Sequence, residues 1–367
     1  MLLALLLSAL PVAAQEMENP LRAVAAAVPC EYTELLNSSA VVAGESVSDW
    51  IAIASGCSAD PVRGQGYLQA LEQFVSQAYQ EDGCLHRIKA TEWHRISLAV
   101  LALGGDPTCF GTDGAGKPID LIADGTYNWT QTDSLGTQGL NGWLFALITL
   151  DAVGYTVPEN ANFTREDMIT TLLNAQTEAG GFGLSAGSPD VDITAMTLQA
   201  LAPYVQENAL VADSVERALS WLSQQQNSTG DFTSWGFATA EGTAQTVIAL
   251  CALGIDPEHD SRFIKEEGSA LDGLLRYQLS SGLFCHTLDG TADTMATEQA
   301  ALALFALRRF RENGTRLYEL TNVEIYPEEP APEGGSNPVA WIAGGAAVLL
   351  TAGAAILWSR RGKKKDV

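Results

Sequence analysis

QTEAGGF, Gln176 to Phe182, returns as QNSTGDF at Gln226 to Phe232 and as QLSSGLF at Gln278 to Phe284. The constant part is Gln, three residues, Gly, one residue, Phe, with the glutamines 50 and 52 positions apart. One such match carries little, but three in phase mark a repeat. The runs around them keep the same rhythm: WIAIASG, AVLALGG, TLDAVGY, LQALAPY, ALCALGI and ALFALRR align on Ala54, Ala102, Ala152, Ala200, Ala252 and Ala306. That makes six units.

Each unit pairs two helical patterns. VADSVERALSWLSQQQ is polar along one stripe and belongs to an outer layer; GTAQTVIALCALG is apolar nearly all round and belongs inside. The intervening Gly supplies the left-handed conformation that ends a helix. The repeated Gln is placed to bond backbone groups left open at helix ends, and the Phe to fill the joint between units. The chain is therefore all-α, and six helix pairs in two layers can form an open superhelix or a closed ring.

The two ends read differently from the repeats. MLLALLLSALPVAAQE at the start is a short apolar run ending in small residues, which matches a secretory signal over residues 1–15. Val339 to Trp358 is apolar and of membrane-crossing length, and Arg360, Arg361, Lys363, Lys364 and Lys365 follow it. Positive charge stays on the cytoplasmic side. The expected order is signal peptide 1–15, ectodomain 16–322, Pro/Gly-rich linker 323–338, transmembrane helix 339–359 and a cytoplasmic basic tail 360–367. Such a protein sits in the cell membrane as a single-pass chain with its large domain outside.

The formal net charge is −24, a balance that repels phosphate backbones and excludes nucleic acid as a partner. Six cysteines, Cys30, Cys57, Cys84, Cys109, Cys251 and Cys285, lie in a chain read as exported, where disulfides persist. Cys84 and Cys109 flank one helical run and are the first pair expected to join; Cys251, inside an apolar run, is expected to be a buried free thiol. Serine nucleophile elbows, phosphate-binding glycine loops, HExxH and EF-hand loops do not occur. Their absence removes the common hydrolases, nucleotide enzymes and metalloproteases from consideration.

The Gln-x3-Gly-x-Phe turns are similar to the Gln-Trp repeats of squalene and hopene cyclases. The six-unit, two-layer pattern resembles the α6/α6 toroid shared by those cyclases, protein prenyltransferase β subunits, and the cobalamin carriers intrinsic factor and transcobalamin. ATEWHRISLAVLALGGDPT, PDVDITAMTLQALAPY, GTAQTVIALCALGIDP and MATEQAALALFAL look closer still to bacterial surface proteins with prenyltransferase-type repeats. The resemblance spans about residues 20–312 and implies a closed ring whose inner-helix N-termini face a central cavity.

The turn before the fourth inner helix carries Asp190 and Asp192. A carboxylate there caps open amides, which explains one aspartate and leaves the second. DVDITA is similar to the Asp-x-Asp-Asp-Thr-Ala motif of the cyclases: Asp190 matches the first Asp and Asp192 the general acid, while Ile193 replaces the third. Losing that neighbour undercuts an acid meant to protonate an alkene. DGCLH, with Asp82, Cys84 and His86, is similar to half of the prenyltransferase zinc site but precedes its inner helix by several residues, and an exported Cys84 suits a disulfide better. No metal is expected.

The other helix starts supply further polar or aromatic residues: Trp93 and His94 on the second, Asn141 and Trp143 on the third, Glu241 and Gln245 on the fifth, Glu298 on the sixth, with His286 in the turn before it. Met196 shares a face with Asp192. Together they would form a rim where a small molecule binds. The expectation is a surface domain that binds a ligand or a protein partner without turning it over, the alternatives being a terpene-cyclase-like or prenyltransferase-like enzyme and a purely structural protein. No cofactor is expected, although the resemblance to cobalamin carriers makes a corrinoid one candidate ligand. Those carriers close over it with a small β domain, which here a partner would have to supply.

Overall fold

The computed structural model describes residues 42–58 and 64–321. Eleven α-helices form among the described residues, with a single two-stranded hairpin as the only paired strands. Six belong to the inner layer: α1 (Ser46–Cys57), α3 (Thr91–Ala102), α5 (Asn141–Asp151), α7 (Val191–Leu201), α9 (Ala240–Ala252) and α11 (Thr294–Asn313). Five lie outside them: α2 (Gln65–Asp82), α4 (Leu121–Gly125), α6 (Arg165–Asn174), α8 (Ala209–Gln225) and α10 (Ala270–Leu275). The expected signal peptide, linker, membrane span and basic tail fall outside the described residues. No helix among the described residues is long and apolar enough to cross a membrane.

Each inner helix packs against the next, and α11 packs against α1. The ring is closed. Burial follows the two patterns read from the sequence: α9 is buried along nearly its whole length, whereas α8 buries only the stripe containing Val211, Val215, Ala218, Leu219 and Leu222. Close approach between inner helices uses small residues. A Cβ on Gly56 of α1 would lie 2.2 Å from the Ala102 carbonyl oxygen at the end of α3.

The repeated turn explains its own composition. Gln176 Nε2 donates to the Gly180 and Ser214 carbonyls at 2.7 and 2.8 Å, and Gln226 Nε2 to those of Gly230 and Phe263 at 2.9 Å each. One glutamine thus closes its own turn and holds the outer segment of the next unit. Gly180, Gly230 and Gly282 have φ of 101°, 89° and 88°, which L-residues rarely adopt. Phe182, Phe232 and Phe284 are fully buried. Their amides donate to Thr194, Thr243 and Thr297 on the following inner helices at 2.8, 3.1 and 3.0 Å. This threonine is a fourth member of the repeat that the Gln-Gly-Phe spacing does not reveal.

Beyond α11 the chain crosses the ring to the opposite side. Leu320 N donates to the Ala152 carbonyl at the end of α5 at 2.7 Å, Arg309 holds the Leu317 carbonyl at 2.6 Å, and both leucines are buried. This strap closes the C-terminal mouth of the ring. A cavity of about 30 Å³, lined in part by Ile148, Gln199, Ile248 and Tyr318, remains above it, room for about one water.

The cysteines correct one expectation. Cys84 is buried in the turn after α2 while Cys109 is exposed, and both are free thiols. No bridge joins them. Cys251 is a buried free thiol, as its apolar run predicts.

Candidate functional site

Asp190 and Asp192 have separate tasks. Asp190 is the N-cap of α7, in extended backbone, with Oδ1 accepting from Ile193 N at 2.9 Å. Its other oxygen, Oδ2, is buried without a partner, and burial pushes the carboxyl up to about 6. Asp192 lies one turn-position further in and accepts from Ser234 Oγ, on the hairpin between α8 and α9, at 2.5 Å. Burial raises its pKa also. A Cβ on Gly242 would come 3.3 Å from Asp192 Oδ1, so this carboxylate faces the start of α9.

Thr239 caps α9, and Glu241 two residues on meets His286 Nδ1 at 2.9 Å. Asp293 caps α11. One turn deeper, Glu298 is only 3% exposed and its Oε2 has no partner. Burial first, then the charges of Asp293 and Glu241, push it up to about 9, so at neutral pH it is a neutral acid carrying a proton. Deeper in the ring, Gln199 Nε2 donates to Gln245 Oε1 at 2.9 Å and Gln245 Nε2 to Gln299 Oε1 at 3.1 Å. This amide chain links α7, α9 and α11. Trp50 of α1 meets Phe145 of α5 with ring centroids 5.9 Å apart, bridging two helices that are not neighbours in the ring.

Asp192 and Glu241 thus lie at the starts of neighbouring inner helices, with buried Glu298 and Gln245 deeper on the same three-helix arc of α7, α9 and α11. Met196 is half-buried on α7, and His286 is exposed apart from its bond to Glu241. The residues expected from α3 and α5 are elsewhere. Trp93 is buried, its indole donates to Tyr79 Oη of α2 at 2.7 Å, and it stands edge-on to Trp129 at 5.2 Å. His94 is buried with Nε2 donating to the Gly125 carbonyl of α4 at 2.7 Å, and desolvation pulls its pKa down to about 4. Both face the outer layer. Trp143 likewise packs edge-on against Phe163 at 5.3 Å and lines an open cleft of about 1010 Å³ beside the 183–187 turn. Asn141 is half-buried with Oδ1 unpartnered. The correction has a physical cause: an aromatic or imidazole with a polar handle goes where that handle finds a partner, and an all-apolar helix gives no periodic cue to which side faces the centre.

Sequence spacing also misses Asp49 and Arg95. Asp49 accepts from Arg95 Nε at 2.8 Å and from Tyr67 Oη at 2.5 Å, and Arg95 also holds Glu92 at 2.7 Å. The arginine at the start of α3 is therefore neutralised in place. In the suspected half zinc site, Asp82 pairs with Arg87 at 3.0 Å and His86 Nδ1 accepts from the amides of Ile88 and Lys89. Asp256, Glu258 and His259 bring ligand atoms within 4.8 Å of one another. There, however, the Arg311 guanidinium already bonds both carboxylates, at 2.9 and 2.7 Å.

Chemically, the arc offers one neutral carboxylic acid as donor, carboxylates partnered by a serine and a histidine, and amides, set on an apolar wall.

The family described as the prenyltransferase alpha-alpha toroid domain matches residues 126–323. Among solved structures, the chain is similar to Candida albicans protein geranylgeranyltransferase-I complexed with GGPP, at a TM-score of 0.51 and 12% identity, covering 79% of this chain and 93% of that one. It is similar also to the apo type II terpene cyclase MstE from Scytonema, with TM-score 0.48, 13% identity, and coverage of 81% and 99%. At 12% identity the first likeness shows the fold alone. No curated protein matches in sequence.

Proposed function

Since the chain belongs to the prenyltransferase alpha-alpha toroid family, we propose that it is a membrane-anchored surface domain that binds a small ligand on the α7–α9–α11 arc without chemical change. The observation that carries this reading is Glu298, a buried carboxyl with one oxygen unmatched, near the start of α11. A buried polar atom left open is costly unless a ligand or water completes it. Ile193 in place of a third aspartate and the Trp50–Phe145 contact across the ring speak against turnover.

Charge narrows the ligand. Lysine and arginine are absent between Arg217 and Arg262 and between Arg276 and Arg308, so nothing on α9, on the start of α11 or in the turns beside them would neutralise a diphosphate. The geranylgeranyltransferase neighbour was solved with GGPP; for this chain a neutral prenyl alcohol or a cationic head group fits the arc better. A corrinoid is the second candidate, with a partner domain closing over it. Display outside the cell, held by Val339–Trp358, is supported by the length of that run and the basic residues after it.

Thermal-shift titration of the full chain with geranylgeraniol, GGPP and cobalamin tests the reading. A rise in Tm with the alcohol or cobalamin, lost in Glu298→Ala, is expected. A cyclised or transferred product that disappears in Asp192→Asn would overturn it in favour of an enzyme, and GGPP binding more tightly than the alcohol would overturn the charge argument.

A further inference from the structure

The turn between α8 and α9 is the hairpin of β1 (Thr233–Ser234) and β2 (Phe237–Ala238), with Ser234 opposite Phe237. Its two tip residues, Trp235 and Gly236, have φ of 54° and 88°, the tight turn that Asn-Gly sequences favour. Trp235 is the single non-glycine residue in that region among those described. For a bulky aromatic the conformation is strained. That strain is spent on projecting apolar surface into water: Trp235 is 67% exposed and Phe237 69%. Folding stability does not account for the pair, and paired exposed aromatics mark contact surfaces.

The hairpin is also held firmly. Ser234 donates to Asp192, β1 packs on α7, and the amide of Ala240 donates to the His286 carbonyl at 3.2 Å, two residues before exposed Leu288. The neighbouring turn before α11 is acidic, with exposed Asp289 and half-buried Asp293, and neither lysine nor arginine occurs in the same stretches. A second copy of this chain, or an anionic bilayer, would bring like charge against these groups. A basic partner would not.

We propose that the Trp235–Phe237 hairpin is the docking surface for a basic protein segment, one that seats an apolar side chain between the two aromatics and turns lysine or arginine toward Asp289 and Asp293. An arginine in such a segment gains further from lying over the indole face. The proposal does not rest on the ligand reading of the arc, since the hairpin tip projects from the fold whether or not the arc is filled.

The test uses the full chain in uncharged detergent and two fluorescent peptides, one alternating lysine and leucine and one with every lysine replaced by glutamate. Anisotropy is expected to show the lysine peptide binding at least about 10-fold more tightly, with affinity falling as salt rises. Trp235→Asn combined with Phe237→Ser is expected to weaken it by about 10-fold or more. Trp235→Asn alone suits the turn better and is expected to hold or raise Tm by about 1–3 °C, so loss of binding is separable from loss of fold. Equal affinity for both peptides, or unchanged binding in the double variant, overturns the proposal. So does binding of phosphatidylcholine vesicles, or self-association on size exclusion, that disappears in Trp235→Asn while lysine-peptide binding does not.

Discussion

Two buried ionisable side chains tilt stability in opposite directions with pH. His94 drops from an ordinary 6.5 to about 4 on burial. The unfolded chain therefore binds the proton more readily between those values, and stability falls as pH is lowered through that window, by about 3 kcal/mol in total. Glu298 rises from 4.5 to about 9; its contribution is intact below pH 4.5 and lost as pH climbs toward 9. Urea unfolding across pH should show His94→Gln flattening the acid limb and Glu298→Gln flattening the alkaline one, with the second variant more stable than the native chain at pH 8. An acid limb unchanged in His94→Gln would place that histidine in water, contrary to its bond with Gly125.

Among the elements, the inner-helix starts separate folding from recognition. Asp190→Ala removes the α7 cap and should cost about 1 kcal/mol of stability, whereas Asp192→Asn keeps the partner of Ser234 and should cost little. Chemical denaturation of the two variants checks the order, and a larger loss in Asp192→Asn would reverse the assignment. The helices and turns themselves were legible because Gln176, Gly180 and Phe182 recur with their counterparts at a fixed interval, and each type has a backbone task visible from its chemistry. Asp192, Glu241 and Glu298 were legible as helix-start carboxylates. Trp93 and His94 were misplaced because burial all round α3 from Trp93 onward erases the stripe that would show their facing; half-buried Trp143 instead lines the cleft beside the 183–187 turn. Thr194 and its equivalents escaped because a threonine four residues into a helix has no distinctive spacing, and its bond to the preceding Phe exists only once the turn folds back.

At the scale of the molecule, the strap tests how the ring is held. Ending the chain at Asn313 deletes buried Leu317 and Leu320 together with the bond to Ala152. A loss of about 3 kcal/mol or more is expected from the uncovered apolar surface, read from urea unfolding; no change would make the strap ornamental. Closure itself was not readable from periodicity, since the same two-layer pattern fits an open spiral, and only the resemblance pointed to it. The contact of α11 with α1 also bears on how the molecule comes into being. The first and last helices of the ring are neighbours, so their meeting has a high contact order and must wait for everything between them. Until then a growing chain is an arc with a wet apolar flank at each end, prone to aggregate or to recruit a chaperone. Refolding should accordingly show one slow phase whose amplitude belongs to the final seam.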